Sequence, residues 1–269
     1  MSDAKRLDVA LTLRGLTPSR TKAAALISSG CVAVNGKICQ KSSQSVLDGD
    51  LIEITKQERF VSRGGYKLLQ AMETFSIDLQ DRLCMDVGAS TGGFTDCMLQ
   101  FGAKKVYAVD VGTDQLAQEL REDPRVVSKE QCNFRYATKE DIPEPIDFAS
   151  VDVSFISLNK ILPALYGLLA PTGSAVCLIK PQFEAGKENL SKTGVVRNAN
   201  VHIRVIAAVL EEIQAIGFIP LGLTFSPITG PKGNIEYLVY ITKDITCCGQ
   251  TIDPRRVVES AHKELGEKG

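Results

Sequence analysis

The stretch Arg82-Leu83-Cys84-Met85-Asp86-Val87-Gly88-Ala89-Ser90-Thr91-Gly92-Gly93-Phe94 decides how this chain is read. Three apolar residues, Leu83 to Met85, run into Asp86. A glycine-rich turn follows and leads into an apolar helical segment, Phe94 to Phe101. This is the pattern of a buried parallel strand that feeds a helix across a loop where a ligand can approach bare backbone. The glycines are spaced G-x-x-x-G-G rather than G-x-G-x-x-G, and a carboxylate stands at the strand end. Asp86 would repel a pyrophosphate and attract a ligand bearing an ammonium or sulfonium charge. S-adenosylmethionine carries both charges and no phosphate. Lys105 to Val109 forms the next apolar run and closes on Asp110, 24 positions after Asp86, where an acidic side chain can bind the two hydroxyls of a ribose. A generic α/β turn with a structural aspartate is the alternative. Two strand-end carboxylates flanking one glycine turn favour a nucleoside cofactor, held by Asp86, Gly88, Ala89, Ser90, Thr91, Gly92, Gly93, Phe94 and Asp110. That reading makes the chain a methyltransferase and leaves its acceptor open.

With 269 residues there is room for one α/β domain of ordinary size and a small module. A hydrophobic content of 44% supports a sizeable core and argues against global disorder. The net charge of -1 conceals an asymmetry. Residues 1–67 carry 11 Lys and Arg against 6 Asp and Glu, and the remainder 20 against 26. A basic head on an acidic body suggests a polyanion-binding module beside a catalytic domain, although so few charges also fit an ordinary solvated face. The cysteines include no C-x-x-C pair, and Cys84 and Cys177 fall inside apolar strand patterns. They read as reduced core residues rather than disulfides or zinc ligands, and no metal site is indicated. No apolar run nears the roughly 20 residues that cross a bilayer. The start, M-S-D-A-K-R-L-D, has no signal-peptide core. The expectation is a soluble cytoplasmic protein.

The first 58 residues read as a unit of their own. Leu7, Ala10, Leu11 and Leu13 fit one helix, and Thr17 caps a second with Pro18 in its first turn. Gly30 stops that helix, Asn35-Gly36 marks a hairpin, and Asp48-Gly49-Asp50 turns into a last strand, Leu51 to Ile54. The residues R-L-D (6–8), S-R (19–20), V-N-G (34–36) and G-D-x-I (49–52), with the alanine-rich helix between, resemble the S-four RNA-binding domain. The resemblance implies RNA binding, with Arg6, Arg20 and Lys22 as phosphate contacts. Arg63, in a connector over 59–65, is a further RNA candidate.

Beyond the connector the chain reads β-α repeating, as a domain over 66–243. Ser62 caps a helix through Phe75 with a core stripe of Leu68, Leu69, Met72 and Phe75, to which Lys67 does not belong. A helix near 113–121, a strand near Val126-Val127, a strand from Phe148 closing on Asp152 and a helix from Leu158 to Leu169 come next. Asn133 falls where a cofactor-facing loop is expected and equally fits an ordinary turn. Ala175 to Ile179 forms a buried strand ending in Lys180. The connection 182–199 is long enough for a mobile lid. After a helix over Val201–Ile216, the strand Phe218–Phe225 and a turn at Gly230-Pro231-Lys232-Gly233, the final strand folds back as a hairpin. The expectation is an α/β, Rossmann-like methyltransferase fold: a mostly parallel seven-stranded sheet with an antiparallel last strand, helices on both faces, and a small N-terminal α+β domain. Residues 244–269 read as a loosely attached terminal helix.

Four polar residues stand out against these apolar runs. Lys67, Asp152, Lys180 and Glu236 sit at strand ends or beside the cofactor rim, and a buried strand rarely ends in Lys without a partner because desolvating an ammonium is costly. Two lysines and two carboxylates could compensate one another in one cleft. Their settings, S-R-G-G-Y-K-L, D-V-S-F, I-K-P-Q-F and E-Y-L-V-Y, resemble the FtsJ-like RNA 2′-O-methyltransferases. Together with the S-four module and K-P-Q-F-E-A-G, the whole of about residues 4–243 resembles the TlyA, or haemolysin A, family. The resemblance implies methyl transfer from S-adenosylmethionine to ribose 2′-hydroxyls of ribosomal RNA, at cytidine in the characterised type, on one subunit or both.

The chemistry points the same way. A ribose hydroxyl must lose or share its proton as it attacks the sulfonium methyl in line. Lysine titrates near ~10.4, and a second lysine with partial burial would lower that value toward a usable base. Lys180 is assigned to the hydroxyl, Lys67 assists, and Asp152 and Glu236 orient the lysines. No N/D-P-P-Y loop serves a base amine, and no Pro-Cys or Thr-Cys loop serves a pyrimidine carbon. The histidines, His202 and His262, lie in a predicted helix and the tail. Two rivals from other classes are a membrane-damaging protein, suggested by the older family name, and an RNA-binding protein whose second domain is inert.

Overall fold

The computed structural model describes residues 4–28, 30–55 and 59–266. It divides into two compact units, Met1–Arg59 and Phe60–Gly269. The expected boundary at residue 58 lies outside the described residues. In the first unit β1 (Lys5–Arg6), α1 (Leu7–Leu13), α2 (Arg20–Ser28), β2 (Val32–Val34), β3 (Lys37–Ile38), β4 (Ser45–Val46) and β5 (Ile52–Ile54) surround one small core. β2 lies between β3 and β5, antiparallel to both, and β1 pairs with β4. Asn35 and Gly36 take φ of 49° and 76°, the positive values that a two-residue hairpin turn demands. α2 begins later than a Thr17 cap implies. Ser19 Oγ accepts from the Lys22 amide at 3.3 Å, whereas Thr17 is buried with its hydroxyl 3.4 Å from that of Thr12. A threonine turned into the core does not serve the open amides of a helix start.

The second unit runs α3 (Gly64–Phe75), β6 (Leu83–Val87), α4 (Gly93–Gln100), β7 (Lys105–Val109), α5 (Gln118–Arg121), β8 (Val126–Lys129), β9 (Ile146–Val151), α6 (Leu162–Leu168), β10 (Leu169–Ile179), α7 (Pro181–Glu184), α8 (Ala199–Ile216), β11 (Ile219–Phe225), β12 (Tyr237–Thr242) and α9 (Pro254–Leu265). Its sheet has the order β11-β12-β10-β9-β6-β7-β8. β6 to β10 pair in parallel, and β12 is antiparallel to both β10 and β11. The return strand is therefore inserted between two strands rather than added at an edge, and it brings residues 234–236 beside the end of β10. Strand side chains alternate between two buried faces, which is why the runs are apolar throughout. Cys84, Val106, Phe148, Val176 and Leu238 enter the core shared with α3 and α4. Their neighbours Met85, Tyr107, Ala149, Cys177 and Val239 enter the core that α6, α8 and α9 complete.

Several expected boundaries move. α3 starts at Gly64, and Arg63 rather than Ser62 holds its cap position, without a side-chain bond. The helix expected over 113–121 shrinks to Gln118–Arg121, because Asp114 takes a φ of 52° and Asp110 ties down the Gly112 amide. A one-turn helix at Leu158–Lys160 precedes α6, which starts at Leu162 with Pro163 in its first turn. The connection 182–199 is bound at several points. Glu184 accepts from Ser157 and from the Leu158 amide, and Asn234 bonds Gly194 and Val196. The tail is packed rather than loose, with Val258 and Ala261 of α9 fully buried. All eight cysteines are free thiols. Among the described residues no helix is long and apolar enough to cross a membrane.

Candidate active site

The glycine turn after β6 is shaped by packing. Gly88 has a φ of 84°, and a Cβ there would lie 2.4 Å from the Asp152 carbonyl oxygen. A Cβ on Gly93 would meet Ser62 Oγ at 2.3 Å and the Gly65 amide nitrogen at 2.9 Å. The bare backbone thus lets β9 and the start of α3 close on the turn, beyond any room it leaves for a ligand. Asp86 is fully buried under this turn. Its Oδ2 accepts from the Thr95 amide at 2.9 Å and the Thr95 hydroxyl at 2.7 Å, and its Oδ1 from Ser150 at 3.0 Å. The last contact follows from register, since Asp86 and Ser150 are direct partners across β6 and β9. Burial pushes the Asp86 carboxyl up to about 6 despite these bonds. Asp110 accepts from the Ser90 amide and the Gly112 amide, both at 2.8 Å, which pins the glycine turn to the end of β7.

A cleft of about 270 Å³ opens here, lined by Arg63, Gly64, Lys67, Asp86, Asp152 and Pro231 among others, with Gly88 to Thr91, Gly93 and Phe94 on its wall. Asp110 lies in a small adjoining recess with Gln115 and Glu130. Gly92 faces away, toward Leu116 and Leu120. Asn133 is exposed, caps a one-turn helix by accepting from the Arg135 amide at 3.3 Å, and does not line the cleft.

The four polar residues meet. Lys67 Nζ donates to Glu236 Oε2 at 2.7 Å and lies 3.5 Å from Asp152 Oδ2. Lys180 Nζ lies 2.5 Å from Asp152 Oδ1 and donates to Ser154 Oγ at 2.9 Å. The contact order is Glu236, Lys67, Asp152, Lys180, Ser154, an alternation of charge with no net excess. Lys67 and Asp152 line the cleft, and Glu236 is 1% exposed behind them. Gly230 makes room for it, since a Cβ there would be 2.6 Å from Glu236 Oε1. The Lys67 ammonium is held above its usual value. Burial alone would lower the ammonium, but Asp152 and Glu236 together carry it above the usual lysine value. Lys67 is a fixed cation.

Sequence reasoning passed over Ser154 and Phe155 of the D-V-S-F motif. Ser154 gives Lys180 its aligned hydrogen bond. Phe155 is 91% exposed with a φ of 64°, a strained setting for an aromatic residue, and its ring lies 5.1 Å from that of Phe183. Thr95 and Ser150, which orient Asp86, were passed over too. In the first unit Arg6 and Arg20 both pair with Asp8, and Lys22 lies in the first turn of α2.

Residues 60–243 match the family model described as FtsJ-like methyltransferase, and residues 5–52 match the S4 domain. YqxC of Bacillus subtilis (strain 168), named as a candidate rRNA methyltransferase, is 47% identical over 99% of this chain and 97% of its own. The 16S/23S rRNA (cytidine-2′-O)-methyltransferase TlyA of Mycobacterium tuberculosis (strain ATCC 25618 / H37Rv) is 40% identical over 99% of both chains. A solved structure of a hemolysin-named protein from Streptococcus thermophilus covers 100% of this chain and 99% of its own, with a TM-score of 0.79 and 44% identity. Domain order, sheet topology and these full-length likenesses agree: the chain belongs to the TlyA, or haemolysin A, family, in which an S4 domain is joined to an FtsJ-like methyltransferase.

Proposed function

We propose that this protein transfers the methyl group of S-adenosylmethionine to a ribose 2′-hydroxyl of ribosomal RNA, with cytidine as the acceptor nucleoside. The observation that carries the reading is the contact chain from Glu236 through Lys67, Asp152 and Lys180 to Ser154, set against a cleft whose floor is acidic. The residues fit the cofactor. Each Asp110 oxygen accepts one backbone amide and keeps a lone pair for a ribose hydroxyl. Asp86 supplies negative potential where an ammonium or sulfonium would lie, and the cation lining the cleft at Lys67 is already compensated by two carboxylates.

S-adenosylmethionine supplies an electrophilic methyl group on a sulfonium centre. Lys180 would accept the proton of the acceptor hydroxyl as that oxygen takes the methyl group and the methyl–sulfur bond breaks, leaving a neutral thioether. Asp152 holds Lys180 on one side and Lys67 on the other, and Glu236 keeps Lys67 in place. Phe155 and Phe183 offer aromatic faces beside Lys180 on which an unstacked base can rest. RNA affinity comes from the S4 unit through Arg6, Arg20 and Lys22, with Arg63 at the cleft as a contact of the second unit. A cytolytic role draws no support from the fold, since the apolar stripes of α3, α4 and α8 are spent on the two cores. The substrate class and the workplace of such an enzyme are cytoplasmic.

The test is tritiated methyl incorporation into ribosomal RNA from cells that lack the gene, presented both as naked RNA and as intact subunits. Label recovered in a 2′-O-methylated nucleoside supports the proposal. A protein that binds S-adenosylmethionine and labels neither form of the RNA would be the inert RNA-binding alternative.

A further inference from the structure

Arg6 and Arg20 lie 14 positions apart in the chain, Arg6 immediately before α1 and Arg20 at the first residue of α2. They share one anion. Arg6 donates to Asp8 side-on, Nε to Oδ1 at 3.0 Å and Nη2 to Oδ2 at 3.1 Å, and Arg20 Nη2 donates to the same Oδ2 at 3.1 Å. The Val9 amide completes the carboxylate, donating to Oδ1 at 3.0 Å. The layering is uneven. The Asp8 side chain is 6% exposed, while those of Arg6 and Arg20 are 50% and 62% exposed. The Arg6 hydrogen bonds, working against burial and helped by Arg20, hold the Asp8 carboxyl down to about 2, so it is an anion at any physiological pH. Among the described residues neither guanidinium meets another carboxylate.

A buried anion beneath two exposed guanidiniums leaves a net positive surface in a fixed geometry. Sharing Oδ2 keeps the two amino groups at most twice a hydrogen-bond length apart, close enough for both to reach one phosphate. Arg20 stands at the first residue of α2, where the helix-start amides add positive potential near it. An arginine that must be ordered on binding loses rotamer freedom, and one already ordered does not.

We propose that Asp8 is a positioning residue that locks Arg6 and Arg20 into a two-guanidinium clamp for a single phosphodiester of the RNA backbone. This rests on the reading that the first unit binds RNA, and it assigns to a buried carboxylate a role in holding a polyanion. Simple charge counting predicts the opposite sign: removing an anion from an RNA-binding face should tighten binding.

The experiment measures binding of the full-length chain to ribosomal RNA, transcribed in vitro and labelled, by filter retention over a range of KCl concentrations. Four variants are compared with the parent: Asp8→Asn, Asp8→Glu, Arg6→Ala with Arg20→Ala, and that pair combined with Asp8→Asn. Amide exchange of residues 7–13 reports whether α1 remains folded. The clamp predicts that Asp8→Asn weakens RNA binding about tenfold, the scale of ordering two rotamer-rich side chains. It also predicts that Asp8→Glu weakens binding at unchanged charge, because the longer arm displaces both guanidiniums. With the arginines already replaced, Asp8→Asn should no longer weaken binding and should tighten it slightly. A purely structural Asp8 would weaken binding equally in both backgrounds, and that result overturns the proposal. So does unchanged or tighter binding by both single Asp8 variants. If Asp8→Asn unfolds α1, Asp8→Glu decides alone, and parent-like affinity there overturns the clamp. Parent-like affinity and salt slope in the Arg6→Ala, Arg20→Ala pair is a different failure, since it removes the RNA-binding reading of this unit.

Discussion

Lys180 touches one carboxylate and one hydroxyl, and the two contacts support different roles. If it acts on the acceptor hydroxyl, Lys180→Ala should bind cofactor and RNA nearly as the parent does and transfer methyl groups about 10²–10⁴-fold more slowly in single turnovers. Lys180→Arg should rescue little, because a guanidinium keeps the charge and does not give up a proton near neutral pH. If Lys180 merely neutralises Asp152, the alanine variant should lose melting temperature and the arginine variant should turn over nearly normally. Lys67 is joined to it through Asp152, so Lys67→Ala should also lose activity and the double variant should fall short of additive. At the cofactor end, Asp110→Ala should weaken S-adenosylmethionine binding about 10- to 100-fold, the worth of charge-assisted hydrogen bonds. Calorimetry on the folded variant checks this, and parent-like affinity would take Asp110 out of the site. The four polar residues were legible because each interrupts an apolar run or falls outside a core stripe. Phe155 was not, because its exposure depends on a left-handed backbone that no local pattern encodes.

Elements were legible where apolar periodicity set them and illegible where a side chain overrode it. β6, β7 and the second half of β10, Ala175 to Ile179, follow from apolar runs that only a sheet covered on both faces can bury, whereas its first half, through Pro171-Thr172-Gly173, carries no such run. The segment 113–121 has helical composition, yet Asp110 binds the Gly112 amide and Leu116 is pulled against Gly92, so only its last turn is helix. The tail shows the reverse failure. Val257, Val258, Ala261 and Leu265 recur at helical spacing, but nothing local says that the stripe completes the core with α8 and β11. That packing predicts a cost. Val258 is fully buried, so Val258→Asp should destabilise the second unit by on the order of 3 kcal/mol in denaturant melts, through a buried unpaired charge. A tail that is only an appendage would leave the midpoint unchanged.

At the scale of the whole molecule the two units differ in what acid does to them. In the first, the lowered Asp8 carboxyl contributes stability that is present above 3.8 and lost as pH falls toward about 2. In the second, two buried groups oppose each other at higher pH. His202 lies between the Tyr237 hydroxyl at 2.7 Å and the Val196 carbonyl at 3.0 Å, with His262 at 3.3 Å. Burial pushes it down to about 4, against 6.5 in an unfolded chain. The unfolded state therefore takes up the proton first, and stability falls as pH drops from 6.5 toward 4. His262, also lowered by burial, acts in the same sense. Asp86 does the opposite. Its carboxyl is raised to about 6, against 3.8 unfolded, so the folded state takes up the proton first and stability rises as pH drops from 6 toward 3.8. Glu184, raised by its own burial, adds to that gain. The melting temperature of the parent should therefore stay nearly level between pH 6.5 and 4. Asp86→Asn keeps the shape and removes the gain, so its melting temperature should fall by several degrees across that window. His202→Gln removes the loss, and its curve should rise toward acid from a lower starting point. An Asp86→Asn profile parallel to the parent would show that Asp86 is not the buried carboxyl that titrates, and that the acid floor of the cleft holds its charge by some other contact.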